Sequence, residues 1–248
     1  ITDTAANLLT VSFQDVANYR EMGVDVLRLV DSGSAISGLS LANIANLAGR
    51  NVGEVDVTNG AVTLSLAQAN QFAASEIVFN AADIVVVTAS SATWSDPDTL
   101  DLIGLAAIHI DLIDASDNKL TLTLAAAQTY LGAGIGFTGA DAVTVKIGYA
   151  EAKTLTKTMG SALHDAGVDR IDIDMTASEL KALTYTELNA FVAAGVDGIT
   201  GLTRVAFSNL TYDLTTHTAN YNPVISSDGG GATAAVTIAE NTKAVTTL

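Results

Sequence analysis

The sequence predicts an α/β protein in which short strands and helices repeat along the chain and stack as a β/α solenoid. Three observations predict this fold: a self-similar pattern with a period of about 60 residues, Gly-Val-Asp tripeptides that follow helix-like stretches, and marked helix starts. Short helices and strands of this kind cannot bury their apolar faces alone, but stacked neighbours can. The strands should then form a parallel sheet, with the helices covering one side.

The self-similarity is clearest between residues Val55–Phe72 and Ile110–Leu131. Both segments alternate apolar and polar residues, turn, take a Leu-x-Leu step and continue into an Ala- and Gln-rich helical stretch. The matched positions Val62, Leu120 and Leu180 follow one another at intervals of about 60 residues. Each period therefore contains several strands and helices.

The Gly-Val-Asp tripeptides begin at Gly23, Gly167 and Gly195, and a helix-like stretch precedes each of them. Glycine supplies the left-handed conformation that ends a helix. We expect the Val to begin the next strand, and the Asp to face solvent or to cap the next element.

Helix starts are marked by capping boxes, in which a hydroxyl and a carboxylate each satisfy the other's backbone N–H group. Thr176 with Glu179 and Thr184 with Glu187 fit this pattern. Ser12 with Asp15 is a weaker version.

The predicted architecture is similar in principle to leucine-rich repeats, with one parallel sheet and a short β tail, although the L-x-x-L-x-L-x-x-N ladder of that family is absent. The alternative is a three-layer α/β domain whose units merely look alike. Irregular spacings and the segment Trp94–Pro97 favour this alternative.

The repeat pattern stops near Thr211, and a turn-rich stretch and two β-rich runs around Glu240 follow. The residues NPVI, VTIAEN and VTTL resemble the opening strand of the cadherin-like domains of long bacterial surface proteins. Upstream, Asp3–Asn7 and Val62–Ala69 are similar to repeats of large type I-secreted, RTX-like adhesins. We therefore predict a β/α repeat domain over residues 1–215, then a linker and the first strands of a truncated cadherin-like domain over 216–248. The resemblance implies a calcium-ligating role for Glu240.

The composition excludes several classes of protein. Eleven Lys and Arg stand against 27 Asp and Glu, so the net charge of −16 repels phosphate backbones and anionic lipids. We predict neither nucleic-acid binding nor membrane insertion, since no apolar run approaches the roughly 18 residues of a membrane helix. Without Cys, neither disulfides nor thiolate metal sites can form. An Asp-rich, Cys-free chain fits a secreted protein at the bacterial cell surface.

Catalytic residue types are scarce. We expect His109 to face solvent from a strand, His164 to form a surface pair with Asp165, and His217 to lie at a strand end or in a loop. There is no His-x-x-x-His zinc pair and no G-x-S-x-G nucleophile motif. The sequence thus predicts that the chain is not an enzyme.

Asp residues form three clusters, around Asp111, Asp169 and Asp96. The segment with Asp96, Asp98 and Asp101 is the most metal-like, because hard oxygen ligands in a turn suit Ca²⁺. Solvated faces, helix caps and catalytic acids are the alternatives for these clusters. The predicted metal ligands are Asp96, Asp98, Asp101 and Glu240, with Ca²⁺ as the cofactor.

These observations predict a non-catalytic structural or adhesive module of a secreted or cell-surface repeat protein, stabilised by calcium. Its partners would be a cell-surface glycan or protein, or further copies of itself. One alternative is a carbohydrate-binding or carbohydrate-active domain that uses the Asp clusters. The other is a self-assembling surface-layer module.

Overall fold

The structure is a computed structural model, and it describes residues 1–221 of the 248. The predicted cadherin-like segment beyond Tyr221, with Glu240, lies outside the described residues. Within residues 1–221, strands and helices alternate along most of the chain.

The described part of the chain contains fifteen strands, most of them between two and six residues long. In chain order they are β1 (Thr2–Asp3), β2 (Leu27–Asp31), β3 (Val52–Val57), β4 (Ala61–Ser65), β5 (Val78–Phe79), β6 (Ile84–Ala89), β7 (Leu112–Ala115), β8 (Lys119–Thr123), β9 (Gly136–Phe137), β10 (Ala142–Gly148), β11 (Arg170–Asp174), β12 (Gly198–Ile199), β13 (Arg204–Ala206), β14 (Leu210–Asp213) and β15 (Thr218–Tyr221).

Twelve α-helices and the 3₁₀ helix Pro97–Thr99 lie within residues 1–221. The α-helices are α1 (Ala5–Leu8), α2 (Phe13–Glu21), α3 (Gly33–Ser37), α4 (Leu41–Gly49), α5 (Leu66–Ala74), α6 (Ser91–Trp94), α7 (Leu102–Ala107), α8 (Leu124–Ala133), α9 (Tyr149–Ala152), α10 (Lys157–Asp165), α11 (Ala177–Ala182) and α12 (Tyr185–Ala193). None of these helices has the length and apolar character needed to cross a membrane.

The strands form three parallel sheets of four strands each, in the orders β1-β2-β3-β5, β4-β6-β7-β9 and β8-β10-β11-β12. A three-stranded antiparallel sheet, β13-β14-β15, follows them. Helices connect most of the paired parallel strands, because parallel neighbours need a crossover connection. The predicted α/β class with parallel strands is confirmed.

A repeat in the structure runs through the parallel sheets. The series β4, α5, β5 and β6 recurs as β8, α8, β9 and β10, with the same spacing between the elements. We call this the structural repeat; its length is about 60 residues, within the range of long repeat units. Val62 and Leu120 occupy the same position in β4 and β8, as predicted. Leu180 lies in α11, so the predicted third match is wrong: the third unit has a helix where the first two have a strand.

The structural repeat also fixes the backbone path at the ends of helices. Asn51, His109 and Gly167 occupy equivalent positions in successive repeats and have φ angles of 66°, 63° and 100°. Each is the second residue after a helix, in the left-handed conformation that ends a helix. His109 is exposed, as expected, but it lies in the turn after α7, so its predicted placement on a strand is wrong.

The Gly-Val-Asp tripeptides end helices as predicted, because Gly23, Gly167 and Gly195 have φ angles of 85°, 100° and 101°. Val168 and Val196 are buried, but the following strands begin two residues after each of them. The Val thus packs into the core ahead of the strand and does not begin it.

The predicted capping boxes are all present. In each, the hydroxyl of Ser12, Thr176 or Thr184 accepts the backbone N–H three residues later, and the carboxylate there accepts the N–H of the cap residue. These bonds satisfy donors that a helix leaves unpaired at its first turn. Hydrogen bonding to Thr176 and Thr184 lowers the pKa of the carboxyl groups of Glu179 and Glu187.

One apolar cluster connects the repeated units. The helix residues Leu47, Leu105 and Leu163 occupy equivalent positions in successive repeats and are almost completely buried. The buried Tyr130 hydroxyl donates to the Trp94 carbonyl oxygen at 2.7 Å, and burial raises the pKa of Tyr130 well above its ordinary value. The structural repeat thus preserves the size and place of core side chains.

The antiparallel sheet crosses the boundary that the sequence predicts at residue 215. Strand β15 pairs with β14 from Thr218 to Tyr221, and β14 pairs with β13. This hairpin follows the last parallel strand directly. Strand pairing within the described residues therefore continues to Tyr221.

Close packing of α10 against the segment after α12 leads to a test of the fold. A Cβ on Gly160 would clash with the carbonyl oxygen of Ala194 and lie 3.2 Å from the Cα of Gly195. We expect Gly160→Ala to lower the free energy of unfolding by about 1–3 kcal/mol, because the clashing atoms belong to the backbone.

Gly132→Ala is the matched control, since Gly132 is also helical and nothing lies within 4 Å of an added Cβ. It should stabilise the protein by about 0.5–1 kcal/mol through the higher helix propensity of Ala. Urea unfolding measures both. Equal effects of the two substitutions would contradict the close approach at Gly160.

Candidate functional site

The predicted metal-binding segment is divided by the structure. The carboxylate of Asp101 caps α7 by accepting the backbone N–H of Gly104 at 2.9 Å. Asp96 and Asp98 are exposed and line a cavity of about 260 Å³ at the N-terminus of α8, together with Thr123. The structure therefore brings Asp96 and Asp98 to one cavity and gives Asp101 a separate role.

The position of this cavity suits negative side chains for a reason other than metal binding. The N-terminus of a helix carries partial positive charge, which nearby carboxylates stabilise. Among residues 1–221, no group of three or more His, Asp or Glu side chains is placed to hold a metal ion. Calcium binding by Asp96, Asp98 and Asp101 stays a prediction, and Glu240 lies outside the described residues.

The three histidines bind backbone carbonyl groups of other segments. His109 Nδ1 lies 2.7 Å from the Phe79 carbonyl oxygen, and His217 Nε2 lies 3.0 Å from that of Asp197. His164 faces carbonyl groups with both ring nitrogens and is partly buried, so it is not the surface partner of Asp165 that the sequence suggested. In these positions the imidazoles connect segments that are distant in sequence.

A ladder of carboxylates connects neighbouring units, and sequence reasoning missed it. In six places an Asp carboxylate accepts the backbone N–H of the residue 26 positions upstream, at 2.7 to 3.1 Å. We call these six residues the Asp ladder. Its bonds are Asp31 to Ala5, Asp83 to Val57, Asp111 to Val85, Asp141 to Ala115, Asp169 to Val143 and Asp197 to Ile171.

The sequence contains a signal for this ladder in the Asp of the Gly-Val-Asp tripeptides. Two of these Asp residues, Asp169 and Asp197, belong to the ladder; Asp169 is exposed as expected, but both carboxylates accept a backbone N–H of a neighbouring strand and do not cap the next element. Because donor and acceptor lie far apart in the sequence, only knowledge of which strands are neighbours identifies the pair.

The most buried members of the ladder are Asp83 and Asp141, with 7% and 5% of their surfaces exposed. Asp141 Oδ2 also accepts a hydrogen bond from the Thr138 hydroxyl at 2.8 Å, and its Oδ1 has no partner. These two residues occupy equivalent positions in successive repeats, after the short strands β5 and β9. The carboxylate thus replaces the carbonyl that a longer strand would offer.

The Asp ladder predicts the effect of removing one carboxylate. Asp83→Ala should lower the free energy of unfolding by about 1–3 kcal/mol, because it leaves the buried N–H of Val57 without an acceptor. Chemical denaturation measures the change. Asp98→Ala is the control of equal charge change; Asp98 is exposed, and its substitution should change stability by less than about 0.5 kcal/mol. A similar loss for both variants would show that the loss of charge, not the hydrogen bond, matters.

The outward side of the parallel sheets carries many hydroxyl groups. In β4 and β8, outward residues alternate with buried apolar ones, as in half-exposed strands. Thr121 pairs in register with Thr144, so hydroxyl-bearing residues are adjacent across strands. We define the outer sheet face by these residues: Thr63, Ser65, Thr88, Thr121, Thr123 and Thr144.

Two basic side chains beside this face, Arg28 and Lys146, are paired with carboxylates, whereas Lys119 of β8 forms no ion pair within residues 1–221. Arg28 contacts Glu54 at 2.7 Å between β2 and β3. Lys146 lies 3.7 Å from Asp174 between β10 and β11. Such exposed pairs contribute little stability, but they neutralise basic groups on a chain whose net charge is −16.

Comparison with known proteins gives few matches. No protein-family model and no curated protein matches the chain. Among solved structures, it is similar to a mandelate racemase/muconate lactonizing enzyme from a marine actinobacterium, with 13% identity and a TM-score of 0.17. The match covers 75% of this chain and 42% of that protein, so the chain spans less than half of its length.

This finding corrects the functional prediction. The solved structure named in this comparison is an enzyme, and it contradicts the expectation of a non-catalytic structural or adhesive module. We withdraw that expectation together with its carbohydrate and surface-layer alternatives. At a TM-score of 0.17, the match transfers neither its fold nor its activity to this chain. The resemblance to RTX-like adhesins and the extracellular location stay predictions.

Proposed function

We propose that the chain is a β/α solenoid whose outer sheet face binds a partner protein with surplus positive charge. The observation that carries the proposal is the outer sheet face, in which the hydroxyl residues Thr63 and Ser65 of β4 recur as Thr121 and Thr123 of β8. Repeat proteins commonly present such extended surfaces to their partners.

The pattern of strand pairing supports the solenoid over the three-layer alternative. Paired parallel strands lie close in sequence: Val86 pairs with Leu112 and Thr144 with Arg170, at the same sequence separation as the partners in the Asp ladder. The three parallel sheets follow one another along the chain, and each contains only strands from neighbouring turns. A three-layer domain would instead gather its strands into one central sheet.

Charge supports the choice of partner. The net charge of −16 attracts positively charged proteins and accelerates their association, most strongly at low ionic strength. The ion pairs of Arg28 and Lys146 place a carboxylate beside each of these positive charges, which reduces their repulsion of such a partner. Ser65 and Thr123 use their hydroxyl groups to cap α5 and α8, so Thr63, Thr121 and Thr144 are the residues of the outer sheet face that offer donors and acceptors for hydrogen bonds.

Deletion of one repeat tests the solenoid. Removing residues 85–142 joins Ile84 to Val143, which continues the strand in register because Ile84 and Ala142 begin equivalent strands. The shortened protein should fold cooperatively, since each unit contacts only its neighbours. Circular dichroism, thermal unfolding and small-angle scattering would show a folded particle with a smaller maximum dimension.

Deletion of residues 85–132 is the control, because it joins a strand to the end of α8 and breaks the register. It should not fold. A three-layer domain would lose its central strands in both deletions. Failure of the in-register deletion to fold would therefore overturn the solenoid.

Selection from a random-peptide display library tests binding. We expect the immobilised protein to enrich peptides rich in Lys and Arg, with affinities that fall as salt is added. The double variant Thr63→Lys and Thr121→Lys should lower the affinity for these peptides by about tenfold, because it places positive charge in the outer sheet face, where it repels the positively charged peptides.

The control variant is Asn70→Lys with Gln128→Lys, which adds the same charge at exposed positions of α5 and α8. It should retain most of the affinity. Equal losses in both variants would show that net charge alone decides binding. That result, or a selection without enrichment, would overturn the proposed surface.

A further inference from the structure

His164 lies where α10 meets the segment that follows α12. Its Nδ1 is 2.8 Å from the carbonyl oxygen of Val168, and its Nε2 is 3.1 Å from that of Gly195. A carbonyl oxygen only accepts hydrogen bonds, and a neutral imidazole has one N–H. Both contacts can be hydrogen bonds only when the ring carries two protons.

Negative charge around the ring favours the doubly protonated form. Asp197 Oδ2 lies 3.6 Å from His164 Nε2. Partial burial lowers the pKa of His164, but the carbonyl groups of Gly195 and Val168 and the carboxylates of Asp197 and Asp165 together raise it above its ordinary value.

Two further titratable or charged groups act on this site through Asp197. The Asp197 carbonyl accepts a hydrogen bond from His217, and the pKa of Arg170 is raised mainly by its hydrogen bond to Asp172 and further by the charge of Asp197. Arg170 stays charged across the accessible pH range, so its effect on the site is constant.

The backbone around His164 leaves no room for adjustment. Gly160, one turn earlier on α10, approaches Ala194 and Gly195 so closely that a Cβ would clash. A change in the bond from His164 to Gly195 therefore acts directly on this backbone contact. The hydrogen bond of the imidazole to Gly195 thus lies at the close contact between α10 and the segment after α12.

We infer that His164 forms a pH-sensitive contact with the last unit of the parallel sheets, α12 with β12. We call this unit the C-terminal turn, and the contact holds it against α10. When the ring is doubly protonated, both carbonyl groups receive a hydrogen bond and Asp197 faces a positive charge. When the ring is neutral, one nitrogen presents a lone pair to a carbonyl oxygen, and the contact weakens. The C-terminal turn then opens more often at high pH.

The sign of the effect is given by linkage. The pKa of His164 is raised in the folded state, so its contribution to stability is fully present below the ordinary value of about 6.5. The contribution is lost as the pH rises from that value through the pKa of the folded state. Each unit by which the pKa is raised corresponds to about a tenfold change in the equilibrium for opening.

The other two imidazoles provide an internal contrast. His109 and His217 each place one ring nitrogen at a carbonyl oxygen, which a neutral ring satisfies with its single N–H. Neither needs a second proton. A pH effect of this type is therefore specific to His164.

Two measurements on the whole chain test the inference. An NMR titration should give a pKa for His164 above the ordinary value of about 6.5. Hydrogen exchange, corrected for the intrinsic rate, should show protection of the Val196 and Asp197 amides falling by about fivefold or more between about pH 5.5 and about pH 8.5. The Val196 amide bonds the carbonyl of Phe191 within the C-terminal turn, and the Asp197 amide bonds the carbonyl of Ile171 on the neighbouring strand β11.

Variants assign the effect to the ring. His164→Gln, which cannot titrate, should abolish the pH dependence of this protection. His109→Asn should retain it, and Asn suits that position because Asn51 occupies the equivalent one with a similar φ. The inference is overturned if His164→Gln keeps the pH dependence. If that variant does not fold, a pKa of about 6.5 or below for His164 in the unsubstituted chain overturns it equally.

Discussion

The hydrogen bond from a backbone N–H to an Asp carboxylate of the next unit along the chain is the interaction on which the fold depends. Parallel strands of different lengths leave amides without a carbonyl partner, and a buried N–H without an acceptor is costly. The short strand β5 ends before its neighbour β3, and the carboxylate of Asp83 accepts the N–H of Val57. The Asp ladder therefore allows short and long strands to pair in the same sheets.

The same geometry explains why the sheet edges are closed. The N–H of Phe79 on the edge strand β5 donates to the Ile108 carbonyl, and that of Phe137 on β9 donates to Ala166. At the opposite edge of the second sheet, Gly33 of α3 lies against the Ala61 carbonyl, where a side chain would clash. Helix ends thus cover the edges that would otherwise pair with other chains. The outer sheet face is left as the open surface of these sheets.

Acidity in this protein has two separate origins. Part of it is structural, since the Asp ladder and the capping boxes use carboxylates to satisfy backbone donors. The rest, including Asp96 and Asp98, is exposed and sets the long-range field that a partner would meet. Clusters that look alike in the sequence therefore divide between structural acceptors and free surface charge.

The sequence by itself determined the features that depend on residues within one or two turns of a helix, or on repeated core positions. The capping boxes at Thr176 and Thr184, the left-handed Gly195 and the match of Val62 with Leu120 all follow from local hydrogen bonds, backbone sterics or the repeated pattern of core residues. Each needs no knowledge of which strands are neighbours.

Only the tertiary structure decided three outcomes. Asp169 accepts the N–H of Val143, His109 takes the left-handed conformation after α7, and Leu180 lies in a helix. Asp169 bonds an amide in another unit, so its role depends on strand register. The structural repeat places His109 where its counterparts are Asn and Gly, and its ring reaches the carbonyl of Phe79, which is distant in sequence. These outcomes depend on contacts between units, which the pattern of residues along one unit does not encode.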